Sequence, residues 1–149
     1  SGMEAYCVYA AAKYVSQVFY DYGEGFSQEN SILIHDCFTE EKDVHFTVDV
    51  PKGVKQIRID PCSYRCAVTV KDIAAGEQHF AKDNMTVNGV WANENCVIFD
   101  TEDPNLVFAC EGADRLDVTL EVAELPKSLT ATLIEAVTPK GNGLKRFFH

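Results

Sequence analysis

An alternation of apolar and polar residues with a period of two runs through most of this chain and limits what it can become. Leu116, Val118, Leu120 and Val122 alternate with Asp117, Thr119 and Glu121, and Val44, Phe46, Val48 and Val50 with His45, Thr47 and Asp49. In an extended backbone successive side chains point to opposite faces, so each segment has one apolar and one polar face. A helix would scatter the same residues around its circumference. Ile57 and Ile59 repeat the pattern between Gln56, Arg58 and Asp60, as do Cys66, Val68 and Val70. Val97-Ile98-Phe99 and Leu106-Val107-Phe108 are shorter apolar runs, the first closed by Asp100 and the second begun after Pro104. Tyr14 to Asp21 is rich in aromatic and β-branched residues, and Leu129 to Val137 reads as a further strand. Only Glu4 to Lys13, with its Ala10-Ala11-Ala12 run, has good helix propensity; it predicts a short lead-in helix, with a strand as the alternative.

Gly, Pro, Asn and Asp punctuate about nine or ten such strands at the spacing of a sandwich. Strands with one polar face suit two antiparallel sheets packed face to face, so the expected fold is all-β, an antiparallel, jelly-roll-like β-sandwich. The 149 residues are one domain's worth, and the 46% hydrophobic and 24% charged fractions are those of a folded chain. The expected organisation has four parts. Ser1-Gly2 ahead of Met3 reads as a remnant of tag removal, residues 3–13 as a lead-in, residues 14–138 as the sandwich, and residues 139–149, from Pro139-Lys140-Gly141 onward, as a linker. A domain cut from a longer protein would look like this.

Acidic residues outnumber basic ones 23 to 13, for a formal charge of −10. That balance argues against nucleic acid and against anionic membranes, whose partners carry basic stripes. No apolar run approaches the roughly 20 residues of a membrane-spanning helix, so no membrane insertion is expected. Cys7, Cys37, Cys62, Cys66, Cys96 and Cys110 are an even number, but their spacing is not that of a zinc knuckle or a disulfide scaffold. Several sit where an apolar residue would, Cys66 with Val68 and Val70, Cys96 with Ile98, Cys110 with Leu106 and Phe108. Reduced, buried thiols and a cytoplasmic setting are therefore expected.

No catalytic signature is present: no Gly-x-Ser-x-Gly elbow, no phosphate-cradling glycine loop, no His-Glu-x-x-His. His35, His45 and His79 are far apart in sequence, and neither a metal nor another cofactor is expected. Two segments stand out instead. The first runs Val18-Phe19-Tyr20-Asp21-Tyr22-Gly23-Glu24-Gly25-Phe26-Ser27 and sets Tyr20, Tyr22 and Phe26 beside Asp21 and Glu24. Aromatic rings take the C–H face of a sugar and carboxylates take its hydroxyls. The plainer reading is a loop whose aromatics are core and whose glycines supply positive φ. In the second, Arg58 and Asp60 lie two apart on one strand face, a guanidinium beside a carboxylate that could anchor a ligand or simply hold the strand end. Trp91 in Asn88-Gly89-Val90-Trp91-Ala92-Asn93 is expected between strands, as a stacking platform or as a plug over the sandwich.

Phe19-Tyr20-Asp21-x-Gly23-x-Gly25-Phe26-Ser27-x-Glu29-Asn30-Ser31, then Ile57-Arg58-Ile59-Asp60-Pro61, then Thr101-x-Asp103-Pro104 resembles an accessory domain of bacterial polysaccharide-synthesis proteins. Such domains accompany glycosyltransferases, rhamnan-synthesis-type proteins and sugar-linked methyltransferases. The likeness runs in order from about Tyr14 to Leu125. It implies a carbohydrate-binding-like β-sandwich with no reaction of its own, working in the cytoplasm or at the inner membrane face through its parent protein. Under that resemblance Tyr22, Glu24 and Trp91 are the expected sugar contacts, with Asp21, Arg58 and Asp60 as anchors. The partner is then a glycan or a neighbouring catalytic domain. A structural docking domain and a small metal-dependent jelly-roll sugar enzyme are the alternatives.

Overall fold

The computed structural model describes residues 13–139, so the expected lead-in helix, apart from Lys13, and most of the expected linker lie outside the described residues. Twelve strands form: β1 (Ser16–Asp21), β2 (Ser31–Ile34), β3 (Phe38–Thr39), β4 (Asp43–Asp49), β5 (Gln56–Asp60), β6 (Cys66–Ala75), β7 (Gln78–His79), β8 (Thr86–Val87), β9 (Val90–Trp91), β10 (Cys96–Phe99), β11 (Leu106–Ala109) and β12 (Arg115–Glu124). The count exceeds nine or ten because four of the strands are two-residue edge or hairpin pieces. Such pieces are too short to show a period in sequence.

All pairings are antiparallel. One sheet has the order β2-β1-β5-β11-β8 and the other β3-β4-β12-β6-β10-β9, with β7 on β6. The connections β4 to β5, β5 to β6, β10 to β11 and β11 to β12 each cross from one sheet to the other. Crossing connections of this kind make a jelly-roll sandwich, with β1 entering between β2 and β5. The alternation read from sequence is the packing itself. β4 buries every second residue, and Val44, Phe46 and Val48 meet Leu116, Val118 and Leu120 of β12 across the pairing register. From the other sheet, Val18, Ile57, Ile59, Leu106 and Phe108 point into the same core.

Two departures from strict alternation have local causes. Thr119 pairs with Asp72 and Leu120 with Val70, leaving Lys71 as an extra residue in β6. This bulge shifts the inward positions from Val68 and Val70 to Ile73 and Ala75. The expected strand from Leu129 to Val137 is instead the helix α1 (Lys127–Val137), led in by Pro126. Its β-branched content suggested a strand, but Leu129, Leu133 and Val137 recur every four residues, a helical stripe. Pro126 also presents an extended residue just before the first turn, where its missing N–H costs nothing. The helix rests beside β10.

Trp91 is not between strands. It lies in the edge strand β9 opposite Val97, half-buried and packed against the core. Of the described cysteines all are free; Cys37, Cys62, Cys66 and Cys110 are buried as expected, while Cys96 is half-buried on the outward side of β10. Among the described residues no helix is long and apolar enough to cross a membrane.

Candidate functional site

The outward face of the five-stranded sheet brings three of the singled-out residues, Asp21, Arg58 and Asp60, to one pair of strands. In the β1–β5 register Gln17 faces Asp60, Phe19 faces Arg58, and Asp21 faces Gln56. These positions alternate with the buried Val18, Ile57 and Ile59, so the core dictates which side chains look outward. Arg58 donates from Nε to Oδ1 of Asp60 and from Nη2 to Oδ2, both at 2.7 Å. This fork-on-fork contact forms because residues two apart on a strand share a face. The guanidinium carbon lies 4.4 Å from the centroid of the Phe19 ring. Phe19 is buried although it points away from the core, which the overlying guanidinium explains.

The pair is only partly wet: the Arg58 side chain is 24% exposed and that of Asp60 12%. Burial pushes the Asp60 carboxyl above its ordinary value, against the pull of Arg58, and nearby Asp103 pushes the same way. The hydrogen bond to Asp60 raises Arg58 further, so it stays a cation. Asp103 Oδ1 sits 3.9 Å from Nη2. The loop carrying it is held by Asn88, whose side chain donates to the Asp103 carbonyl (2.8 Å) and accepts from the Asn105 N–H (2.8 Å). Nη1 of Arg58 makes no hydrogen bond or ion pair among the described residues. The face thus offers a free donor edge beside carboxylate acceptors.

Asp21 closes β1 and folds the loop beyond it. Its Oδ1 accepts the N–H groups of Gly23 (2.6 Å) and Gly25 (2.9 Å), and its carbonyl accepts the Lys55 N–H (2.8 Å). Gly23 and Gly25 have φ of 114° and 93°, a region closed to most side chains. The loop sets Tyr22, 40% exposed, against Gly53, and leaves Glu24 exposed. Tyr22 follows Asp21, the last residue of β1, and so lies in the loop beyond the strand on which Phe19 faces Arg58. At this same end, a cleft of about 400 Å³ opens between the connections 50–54 and 112–114, with Lys52, Gly53, Gly112 and Asp114 in its walls. Tyr20, by contrast, belongs to the core; its hydroxyl donates to the Asp49 carbonyl (3.0 Å), and burial pushes it up to about 12.

Trp91 stands apart from Tyr22 and Glu24. It belongs to the other sheet, at the edge where β9 follows β8, whereas Tyr22 follows β1 near the opposite edge. The three expected sugar contacts therefore do not converge; Asp21, Arg58 and Asp60 lie along the outward face of the β1–β5 pair, with Tyr22 in the loop beyond Asp21. Phe19, Gln17, Asp103 and Asn88 join them and were not singled out. Phe19 was legible only as an aromatic in a strand, and its meeting with Arg58 depends on register.

On the opposite outward face His45 Nδ1 lies 3.0 Å from Thr119 Oγ1, and Thr47 Oγ1 donates to Asp117 (2.7 Å). His79 Nδ1 lies 2.8 Å from Asp72 Oδ1. Among the described residues no three His, Cys, Asp or Glu side chains gather in a way that could hold a metal ion. No protein-family model, curated protein or solved structure matches the chain.

Proposed function

We propose that this chain is a non-catalytic, carbohydrate-binding-like module of a larger glycosyltransferase-type enzyme of bacterial surface polysaccharide synthesis, and that the glycan lies along the outward face of β1 and β5. The observation that carries the reading is the half-buried Arg58–Asp60 fork on an outward sheet face, with Nη1 open and the exposed Tyr22 in the loop that follows β1. Sugar hydroxyls both donate and accept, so they pair with a guanidinium edge and a carboxylate at once. A face backed by buried isoleucines presents those groups without an ordering cost on binding. The likeness of the Phe19–Ser31, Ile57–Pro61 and Thr101–Pro104 segments to polysaccharide-synthesis accessory domains supports the same reading.

Titration with neutral surface oligosaccharides, read by amide chemical shifts, tests it. Shifts are expected at Gln17, Asp21, Tyr22, Arg58 and Val107. Tyr22→Ala should weaken binding about tenfold, the loss of one stacking contact. Trp91→Ala should leave affinity unchanged if the glycan keeps to this face. Absence of binding to any surface oligosaccharide, or binding lost only in Trp91→Ala, would sink the proposal.

A second reading, docking on a catalytic neighbour, is favoured by one observation. Ile32 and Leu33 are large, exposed apolar side chains on the edge strand β2. Leu33→Lys would then abolish association with that neighbour and leave glycan titrations untouched.

A further inference from the structure

The connection from β5 to β6 carries a second piece of chemistry, unrelated to glycan contact. Pro61 ends β5, and residues 61–65 turn the chain from one sheet to the other. Cys62 and Cys66 stand at the two sides of this turn, and their sulfur atoms are 3.5 Å apart. Both point into the core, Cys62 at 5% exposure and Cys66 at 0%. Cys62 Sγ also lies 3.5 Å from the Tyr64 carbonyl, which bends the turn toward the thiol pair. The ends of the turn are fixed independently. The Pro61 carbonyl accepts from Ser16 Oγ at 2.8 Å, and the Arg65 carbonyl accepts from the Leu125 N–H at 2.9 Å. Thermal motion therefore cannot carry the two sulfurs far apart while the sandwich stays folded.

We infer that Cys62 and Cys66 are an oxidative modification site, converted by a peroxide into a reversible intrachain disulfide that staples the β5–β6 turn. An S–S bond is about 2.05 Å, so the sulfurs must approach by roughly 1.5 Å, a movement within reach of side-chain rotation. The more exposed Cys62 reacts first. Its sulfur attacks one peroxide oxygen, the O–O bond breaks, and the products are a sulfenic acid and one water. Cys66 sulfur then attacks the sulfenic sulfur; the S–O bond breaks, and the hydroxyl leaves as a second water with the thiol proton. The two thiols lose two electrons and the peroxide gains them. The neighbouring Cys62 thiol and burial push Cys66 up, so Cys66 remains a protonated thiol until the sulfenic acid forms beside it. Cys37 and Cys110 are also buried, but Cys37 has Ser16 Oγ and the Ile34 carbonyl as its neighbours rather than a thiol.

The folded chain is treated with hydrogen peroxide, quenched, alkylated in denaturant and cut with trypsin. Trypsin cleaves between the two cysteines, after Arg65, so the disulfide joins peptide 59–65 to peptide 66–71 at two hydrogens below their summed mass. The expected result is this linked pair, released by dithiothreitol, while Cys37 and Cys110 remain alkylated. Cys62→Ser and Cys66→Ala should each remove it, and the two variants guard against one failing to fold. Separate, alkylated peptides after peroxide, sulfinic acid without linkage, a bridge to another cysteine, or linkage formed only in denaturant would each overturn the assignment.

Discussion

Replacing Arg58 by Met isolates what the guanidinium contributes, because the unbranched stem keeps its packing over Phe19. Two charge-assisted hydrogen bonds at 2.7 Å are removed, each worth about 1.5–3 kcal/mol when fully buried. Contact with the Phe19 ring adds about 0.5–1 kcal/mol. Arg58 is 24% exposed, so water already competes for it, and roughly half of that sum survives, about 2–3 kcal/mol near pH 7. For a domain of this size the melting temperature falls by about 5–10 °C.

The pH dependence makes the prediction specific. Burial already holds the folded Asp60 carboxyl above its ordinary value of 3.8. Without Arg58 nothing opposes that push and the folded value climbs further. A carboxyl whose folded value exceeds its unfolded one binds its proton more tightly in the native state. Stability then rises as pH falls through the folded value and is fully recovered below the unfolded one. The penalty of Arg58→Met is therefore largest near neutrality and shrinks by about pH 4.5. Urea unfolding of wild type, Arg58→Met, Asp60→Asn and the double variant, at both pH values, reads it. The cycle should show a coupling of about 1–2 kcal/mol at neutral pH. A penalty independent of pH, or two single costs that simply add, would refute the account of the pair.

Two further outcomes concern the frame around the site. A Cβ on Gly89 would lie 2.6 Å from the Ile98 carbonyl oxygen and 2.7 Å from the Phe99 ring. Because the nearest atom is backbone, Gly89→Ala should cost about 2–3 kcal/mol by overpacking, and Val97→Ala should not rescue it; an unchanged urea midpoint contradicts this. Helix α1 is latched by Thr130, whose hydroxyl donates to Asp100 Oδ1 at 2.6 Å, beside Arg65 at 3.0 Å. Thr130, and then Arg65, hold the Asp100 carboxyl below 3.8. That contribution is present above the unfolded value and is lost as pH falls through the lower folded one. Amide shifts of residues 127–137 should move in that acid window, and in Thr130→Val at higher pH; identical profiles would exclude the latch.

Much of the fold was legible because its cause is local. Val44 to Val50 and Leu116 to Val122 carry their alternation in a few consecutive residues, and the burial of β4 and β12 follows it residue by residue. The segment from Leu129 to Val137 misled for the opposite reason. Thr130, Thr132, Ile134 and Val137 favour extended backbone intrinsically, yet a lead-in proline and contact with β10 hold them helical. The site was half legible. That Arg58 and Asp60 share a face follows from their spacing; that Phe19 lies beneath the guanidinium and Asp103 beside it does not, since both arrive from other elements.

By itself, then, the order of residues determined the class of structure: strands, their inward and outward faces, the turn at Asp21-Tyr22-Gly23, and the Arg58–Asp60 neighbourhood. Each depends on spacing within one strand or one turn. Only the tertiary structure decided the β2-β1-β5-β11-β8 order, the Lys71 bulge, the separation of Trp91 from Tyr22, and the meeting of Cys62 with Cys66. These depend on which strands pair and where the chain crosses between sheets. Such choices are settled by how all the apolar faces bury together, a sum over residues distant in sequence, and no local period records it.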